Sequence, residues 1–209
     1  MSDEEYKKLL KQYHKLSDRH ILVVETDMPY PDVLKVVALS DKIRKAGNEL
    51  VRLMRKNYDQ LLRTKRYRKL LFLYGITEDK SKRKILANQL NEMRKSYNVT
   101  WDYCRTSMIP IGKKYSIDAV FALTKAEDIW RGVEKCLYGN GNTIHFSKYG
   151  ELPCIRAKQI NRGIPVSVKD DKLQFKLGKT AFGIQVNDRF QQHAADDIHR
   201  QILLRPRLT

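Results

Sequence analysis

Two pairs of adjacent carboxylates are the residues of this sequence whose types could serve a metal site. Asp170–Asp171 and Asp196–Asp197 could take part in metal-dependent phosphoryl chemistry, which needs several carboxylates converging on one cation. Asp170–Asp171 stands between two strand-like runs, however, so we favour a turn there. Asp196–Asp197 would need a third ligand from elsewhere in the fold. Since the chain contains no HExxH, P-loop or Gly-x-Ser-x-Gly motif, we expect no catalytic residue, no metal and no cofactor.

The segment Arg52–Lys69 carries a different chemistry, that of a cationic surface. Guanidinium groups bind phosphates in a bidentate manner, and tyrosine rings offer faces on which bases can stack. Only Asp59 lies inside the segment as a possible acidic partner, so local ion pairs are nearly absent. We therefore favour a nucleic-acid-binding surface over a solvated helix face. The candidate residues are Arg52, Arg55, Lys56, Tyr58, Arg63, Lys65, Arg66, Tyr67, Arg68 and Lys69.

Two further basic groups are candidates for the same role. Lys113 and Lys114 stand just before a predicted helix, whose N-terminus would add partial positive charge, although a polar loop explains them equally well. The other group lies among predicted strands. Basic side chains on a small sheet are typical of surfaces that follow a nucleic-acid backbone, and also of exposed solubilising faces. Its members are Lys148, Tyr149, Arg156, Lys158 and Arg162.

The chain as a whole is strongly basic. Its 209 residues include 41 Lys and Arg against 24 Asp and Glu, a formal net charge of +17. This charge favours a polyanionic partner, and nucleic acid before an anionic membrane or an acidic protein. Three widely spaced cysteines indicate a reducing environment, with neither a disulfide framework nor a zinc ribbon. Because no apolar run reaches the length of a membrane span, we expect a soluble, cytoplasmic protein.

The elements that must position these groups are predicted from hydrophobic periodicity. Residues 1–18 are predicted to form a short helix, and a β-branched run followed by two prolines makes 19–31 a strand and a turn. Residues 32–141 have a helical pattern, residues 142–187 consist of short strands, and 188–209 form a tail without a clear element. This order predicts an α+β fold, in which a helical insertion interrupts a small antiparallel β-barrel or sheet.

Particular residues set the predicted boundaries inside this order. The main amphipathic helix is marked by an apolar stripe of Ile43, Ala46, Leu50, Leu53 and Met54. Later helices are predicted over Lys82–Tyr97 and Ser116–Leu137, with Pro110 and Gly112 between them as breakers. Gly139–Asn142 is predicted to end the helices. The strands predicted after it are Thr143–Phe146, Leu152–Ala157, Pro165–Lys169, Lys172–Leu177 and Phe182–Val186.

The order of several segments over residues 20–186 resembles a known family. The segments are the strand Ile21–Glu25, the helices Leu39–Leu53 and Ala119–Lys135, the stretch Ile144–Glu151 and the strands within Asn161–Phe175. In this order they resemble the N-terminal half of transposon-encoded TnpB (OrfB-type) proteins. Those proteins are RNA-guided nucleases related to the type V CRISPR effectors.

The resemblance implies a wedge-like β-barrel interrupted by a helical recognition domain, which together hold guide RNA and the guide–target duplex. The candidate residues would contact the nucleic-acid backbone, while base pairing would read the sequence. The family's RuvC-like nuclease, with its Asp and Glu metal ligands and zinc ribbon, has no counterpart here. We therefore expect a truncated protein that binds RNA or DNA without cleaving it. Two alternatives stay open: a subunit or remnant of an Mg²⁺-dependent RNA-guided DNA endonuclease, and a module that docks an acidic protein.

Overall fold

The computed structural model describes residues 30–139, 141–151, 153–157, 163–169, 172–177, 180–183 and 196. The described helices belong to one compact unit, Met28–Pro165, and the described strands to a second. The predicted helix 1–18 and the predicted strand before Tyr30 lie outside the described residues. So does the predicted tail 188–209, apart from Asp196.

The longest described helix is α1, Tyr30–Arg63, of 34 residues. The two prolines predicted a turn over Met28–Pro31, but the helix already begins at Tyr30. The predicted turn is therefore wrong for Tyr30 and Pro31. Pro31 lies in the first helical turn, where a fixed φ and a missing N–H group cost nothing, and Asp32 follows it in the same turn. The predicted apolar stripe is confirmed for Ile43, Ala46, Leu50 and Met54, which are buried.

Helices α2, Lys65–Ile76, and α3, Lys80–Ser96, form an antiparallel hairpin. Thr64 separates α2 from α1 because its backbone is extended, with φ −72° and ψ 117°. Asp79 caps α3 by accepting hydrogen bonds from two backbone amides of its first turn. Two contacts set the register of the hairpin: Tyr67 with Arg94, and Tyr74 with Arg83.

Helix α4, Trp101–Lys114, lies in a part of the predicted helical stretch 32–141 to which no individual helix was assigned, and α5, Ala119–Tyr138, follows it. The prediction that Pro110 and Gly112 break the chain is wrong, since both lie inside α4. Buried Cys104, Met108 and Ile111 give this helix an apolar face that outweighs one proline in an exposed position. Gly112 also has a packing role, since a Cβ there would lie 3.0 Å from the Cβ of Ala122 in α5.

The core of the helical unit lies among α1, α4 and α5, which pack against one another in pairs. Helix α2 packs on α1 and carries α3. The largest fully buried side chains of the described residues are Tyr67, Leu50, Met54, Leu61, Met108, Val99, Val133 and Cys104. Each buried aliphatic side chain of this size stabilises the fold by about 1.5–3 kcal/mol relative to an exposed one. Among the described helices, none is both long and apolar enough to cross a membrane.

The described residues of the second unit form three antiparallel strands in the order β1, Val166–Lys169, β2, Lys172–Leu177, and β3, Thr180–Gly183. Phe175 pairs with Phe182 across β2 and β3, and their rings stack with centroids 5.1 Å apart. Asp170 and Asp171 lie outside the described residues, between the paired ends of β1 and β2. The predicted α+β class is confirmed. The described strands form an open sheet and not a closed barrel.

The segment 141–157 contains no strand among its described residues, so the strands predicted at Thr143–Phe146 and within 152–157 are wrong. Its backbone bonds to side chains of α1 instead of to a neighbouring strand. The Asn48 amide donates to the Ser147 carbonyl oxygen and accepts from the Ser147 N–H, each at 2.9 Å. The Ser40 hydroxyl donates to the carbonyl oxygen of Pro153 at 2.8 Å. Side-chain partners thus satisfy backbone groups that a sheet would otherwise pair.

Candidate nucleic-acid interface

Several acidic residues of the helical unit form ion pairs with basic residues outside the segment Arg52–Lys69. Short-range pairs within one helix use Asp32, Asp41, Glu92 and Asp102. Pairs between elements join Lys114 to Glu49 and Arg156 to Asp128. No ion pair within the described part of the chain involves a basic residue of Arg52–Lys69. The sequence prediction that acidic partners are nearly absent from this segment agrees with these ion pairs, and Glu49, which precedes the segment, interacts electrostatically with Arg52.

Most basic residues of this segment are exposed on α1 and α2. The exposed set is Arg52, Lys56, Arg63, Lys65, Arg66, Arg68 and Lys69. On α1, Arg52, Lys56 and Arg63 fall within about 40° of one another around the helix axis and span about 16 Å along it. Arg63, the last of these three cations, immediately precedes the junction at Thr64, and Lys65 and Arg66 follow in the first turn of α2. Exposed cations thus lie on both sides of the junction at Thr64.

Glu49 brings the second predicted basic group next to this row. Lys114 Nζ lies 2.7 Å from Glu49 Oε2, and the Tyr115 hydroxyl donates to the same oxygen at 2.9 Å. The hydrogen bond from Lys114 is the main cause that lowers the pKa of Glu49, and the bond from Tyr115 adds to it. Glu49 precedes Arg52 by three residues, so the two side chains are neighbours on α1.

Lys113 and Lys114 occupy a different helix end from the predicted one. They lie in the last turn of α4 and not before the first turn of the next helix. The partial negative charge at a helix C-terminus stabilises cations there, so their position favours folding as well as an exposed positive charge. The proposed reinforcement by a helix N-terminus is wrong for these two lysines.

Asn48 brings part of the third predicted group to the same region of α1. Its two hydrogen bonds hold Ser147, and exposed Lys148 and Tyr149 follow directly. Asn48 precedes Arg52 by four residues, so this attachment also lies beside Arg52. The 92% exposed Tyr149 ring has the Arg44 guanidinium 5.5 Å from its centroid. These residues therefore lie beside a helix and not on a sheet.

The predicted tyrosines of α1 and α2 have internal partners. The Tyr58 hydroxyl donates to the carbonyl oxygen of Cys136 at 3.0 Å, and burial raises the pKa of Tyr58. Tyr67 is 1% exposed, and its hydroxyl accepts a hydrogen bond from Arg94 Nε at 3.2 Å. Neither residue presents a ring to solvent as Tyr149 does. We assign Tyr58 and Tyr67 to the core and keep Tyr149 as the stacking candidate of the predicted set.

The remaining predicted residues are less available to a ligand or lie outside the described residues. Half-buried Arg55 places its guanidinium 5.1 Å from the centroid of the Phe146 ring. Arg156 forms an ion pair with Asp128 of α5. Lys158 and Arg162 lie outside the described residues. The structure thus brings Arg52, Lys114 and Lys148 together around the middle of α1, and it places Arg156 against α5.

The start of α3 contains exposed basic residues that sequence reasoning missed. Lys80, Lys82, Arg83 and Lys84 are exposed in the first two turns, and the Arg83 guanidinium lies 4.7 Å from the centroid of the Tyr74 ring. The signal was present as the run KSKRK at 80–84. Neither α2 nor α3 has an acidic residue in its first turn. Cations at these helix starts face the positive end of the helix dipole, which disfavours them.

We define the basic surface as Arg52, Lys56, Arg63, Lys65, Arg66, Arg68, Lys69, Lys113, Lys114 and Lys148. Its arginines can bind phosphate oxygens in pairs and its lysines act as point charges. Among the described residues, no group of three or more His, Cys, Asp or Glu side chains is placed to hold a metal ion. The carboxylates Asp170, Asp171 and Asp197 lie outside those residues.

Comparisons with known proteins identify no relative of this chain. No protein-family model, no curated protein sequence and no solved structure matches the chain.

Proposed function

We propose that this protein binds nucleic acid through the basic surface. The observation that carries the proposal is the placement of Lys65 and Arg66, which are exposed, lack ion-pair partners among the described residues and lie in the first turn of α2. The helix dipole disfavours cations there, so folding does not explain them. A ligand with dense negative charge does, because each phosphate contact releases condensed counterions.

The basic surface is suited to contact the backbone of nucleic acid more than base edges. Its members are long, exposed cationic side chains, and one exposed aromatic ring, Tyr149, lies beside Lys148. Contacts of this kind position a strand and carry little sequence information. Sequence would then be read by pairing with a second strand, as the resemblance to TnpB-type proteins implies.

The resemblance further suggests structured, guide-type RNA as the partner, alone or paired with DNA. In this proposal, the helical unit corresponds to the recognition domain, and the sheet Val166–Gly183 is the described part of a wedge-like β module. The protein would hold the RNA without cutting DNA, because the proposed role rests on cationic contacts and needs no metal site.

The test is a binding titration followed by fluorescence anisotropy. Labelled hairpin RNA, single-stranded RNA and duplex DNA of equal phosphate number are each titrated with protein over a series of salt concentrations. We expect binding whose log K falls linearly and steeply with log salt concentration. Absence of binding to all three at low salt would refute the proposal. Poly-glutamate of equal charge is the control polyanion, and equal affinity for it would favour an acidic protein as the partner.

A further inference from the structure

A cleft of about 450 Å³ lies between α3, α4 and α5, and no residue of the basic surface lines it. Its volume is in the range of small-molecule sites. The lining includes three kinds of group: a buried cation, aromatic rings and exposed amide side chains. The residues that carry these properties are Arg94, Trp101, Trp130, Tyr138, Asn88 and Asn91.

The cation of the cleft is Arg94, which is 7% exposed. Its guanidinium donates to three neutral oxygens, those of Tyr67 at 3.2 Å, Asn91 at 2.9 Å and Tyr138 at 3.0 Å. The Glu92 carboxylate, also in the lining, is paired with Lys95 at 2.9 Å. Within the described part of the chain, Arg94 has no carboxylate partner. A buried charge without an opposite charge is costly, and an anion in the cleft would compensate it.

The aromatic groups of the cleft give it a preference for flat ligands. Half-buried Trp101 and Trp130 have ring centroids 6.5 Å apart and planes inclined by 51°. The Tyr138 ring lies 4.6 Å from the Arg94 guanidinium and is mostly exposed. A nucleobase can stack on such rings whatever its identity. Exposed Asn88 offers an amide with both a donor and an acceptor, which suits the edge of a base.

We propose that this cleft binds one nucleotide, with the base against the tryptophans and the phosphate directed to Arg94. An aromatic ligand without charge would leave Arg94 uncompensated, and a phosphate ion alone would make no use of Trp101 and Trp130. The nucleotide comes from an unpaired position of the strand held by the basic surface, and this source rests on the proposed function. The cleft and the basic surface are connected through Tyr67, which contacts Arg94 of the cleft and stands between Arg66 and Arg68 in α2.

Intrinsic fluorescence tests the site directly, because the chain has two tryptophans and both line the cleft. Full-length protein is titrated with hairpin RNA that carries unpaired nucleotides and with a blunt RNA duplex of equal phosphate number. Anisotropy of the labelled RNA gives binding in parallel. We expect the RNA with unpaired nucleotides to quench tryptophan fluorescence and the blunt duplex to bind without quenching. Equal quenching by both, or binding of the unpaired strand without quenching, would overturn the site and leave the proposed function standing.

Adenosine monophosphate and adenosine separate a strand nucleotide from a free one. The site predicts that adenosine monophosphate quenches at lower concentration than adenosine, since Arg94 compensates the phosphate. Equal potency of the two would overturn the assignment of Arg94. Quenching by the mononucleotide while no strand binds by anisotropy would support a site for free nucleotides and refute the proposed function.

Asn88→Ala is the variant of choice, because Asn88 is exposed and its loss leaves the core intact. We expect the affinity for the unpaired strand, measured by quenching, to fall about tenfold, which is in the range of one good contact to a base edge. Gln89→Ala is the matched control, since Gln89 is also exposed on α3 and lies outside the lining. An unchanged titration for Asn88→Ala, or an equal loss for both variants, would contradict the proposed contact.

Discussion

Replacing Lys65 and Arg66 with alanine is expected to weaken nucleic-acid binding while leaving the fold equally or more stable. Both side chains are exposed in the first turn of α2, where there is no acidic residue. Each cation in such a position costs about 0.3–1 kcal/mol through the helix dipole. Alanine is also the best helix former. The K65A/R66A variant should therefore unfold at the same urea concentration as the wild type or at a higher one.

The loss of binding is predicted from the salt dependence. Each phosphate contact contributes about 0.9 to the slope of log K against log salt concentration for duplex DNA. Two lost contacts reduce the slope by about 1.8. A fourfold rise in salt should then weaken binding of the variant about 12-fold less than it weakens binding of the wild type. Anisotropy with labelled duplex DNA over the salt series measures this difference.

The matched control removes one lysine and one arginine whose charges are already paired. Lys35 lies 2.8 Å from Asp32, and Arg105 lies 3.3 Å from Asp102, and the side chains of Lys35 and Arg105 are exposed. K35A/R105A lowers the net charge by the same amount and should leave the slope close to that of the wild type. If the two double variants lose the same slope, binding follows net charge alone and the reasoning from the basic surface is refuted.

Further predictions concern three residues of the helical unit: Glu49, Asp79 and Cys104. Glu49→Gln releases Lys114 from its ion pair and should steepen the salt slope by about 0.9 in the same anisotropy assay; a shallower slope would contradict this. Asp79→Ala removes two hydrogen bonds that cap α3 and should lower the free energy of unfolding by about 1 kcal/mol in urea titrations; no change would show that the cap is not formed. Burial raises the pKa of the Cys104 thiol from 9.0 to about 12. At pH 8, alkylation followed by mass spectrometry should therefore modify exposed Cys154 and leave Cys104 intact. Equal labelling of the two thiols would contradict the packing of α4. Because the thiol of the unfolded chain ionises first, the stabilisation by Cys104 relative to a Cys104→Ala variant should decrease as pH rises above about 9.

Elements whose pattern is local were predictable from the sequence. The stripe along α1 follows the helical period, so the spacing of Ile43 and Leu50 is enough to assign both residues to the core. The strand Lys172–Leu177 was predicted with its observed bounds, and β1 differs by one residue at its start. Alternation and turn residues decide such short antiparallel strands without help from distant parts of the chain.

Elements decided by tertiary contacts were not predictable in the same way. The stretch Thr143–Phe146 has β-like composition, yet its neighbourhood is held by Asn48 of α1, nearly one hundred positions earlier in the chain. Helix α4 was not assigned from the sequence because it contains Pro110 and Gly112, which normally end helices. Its apolar face is completed by other helices, and this packing overrides the local signal.

The residues of the candidate site also differ in how far the local sequence predicts them. Exposure of Arg63 or Lys65 followed from the lack of acidic residues near them in sequence. Tyrosine gave no such information, because its ring suits a core and its hydroxyl suits a surface; Tyr67 is buried with a partner and Tyr149 is exposed. The nearness of Lys114 to Arg52 depends on Glu49, whose role is visible only when α4 is packed on α1.

Consecutive residues of α1 explain why its middle becomes the centre of the basic surface. A Cβ at Gly47 would lie 2.5 Å from Lys125 Cε of α5, Asn48 binds Ser147, and Glu49 binds Lys114. Successive side chains point about 100° apart, so these neighbours attach three different parts of the chain to one turn. Arg52 lies one turn further on, beside Asn48 and Glu49, and is left exposed. The residues that assemble the fold here are thus distinct from exposed Arg52, which is why removing Arg52 should weaken binding and leave stability unchanged.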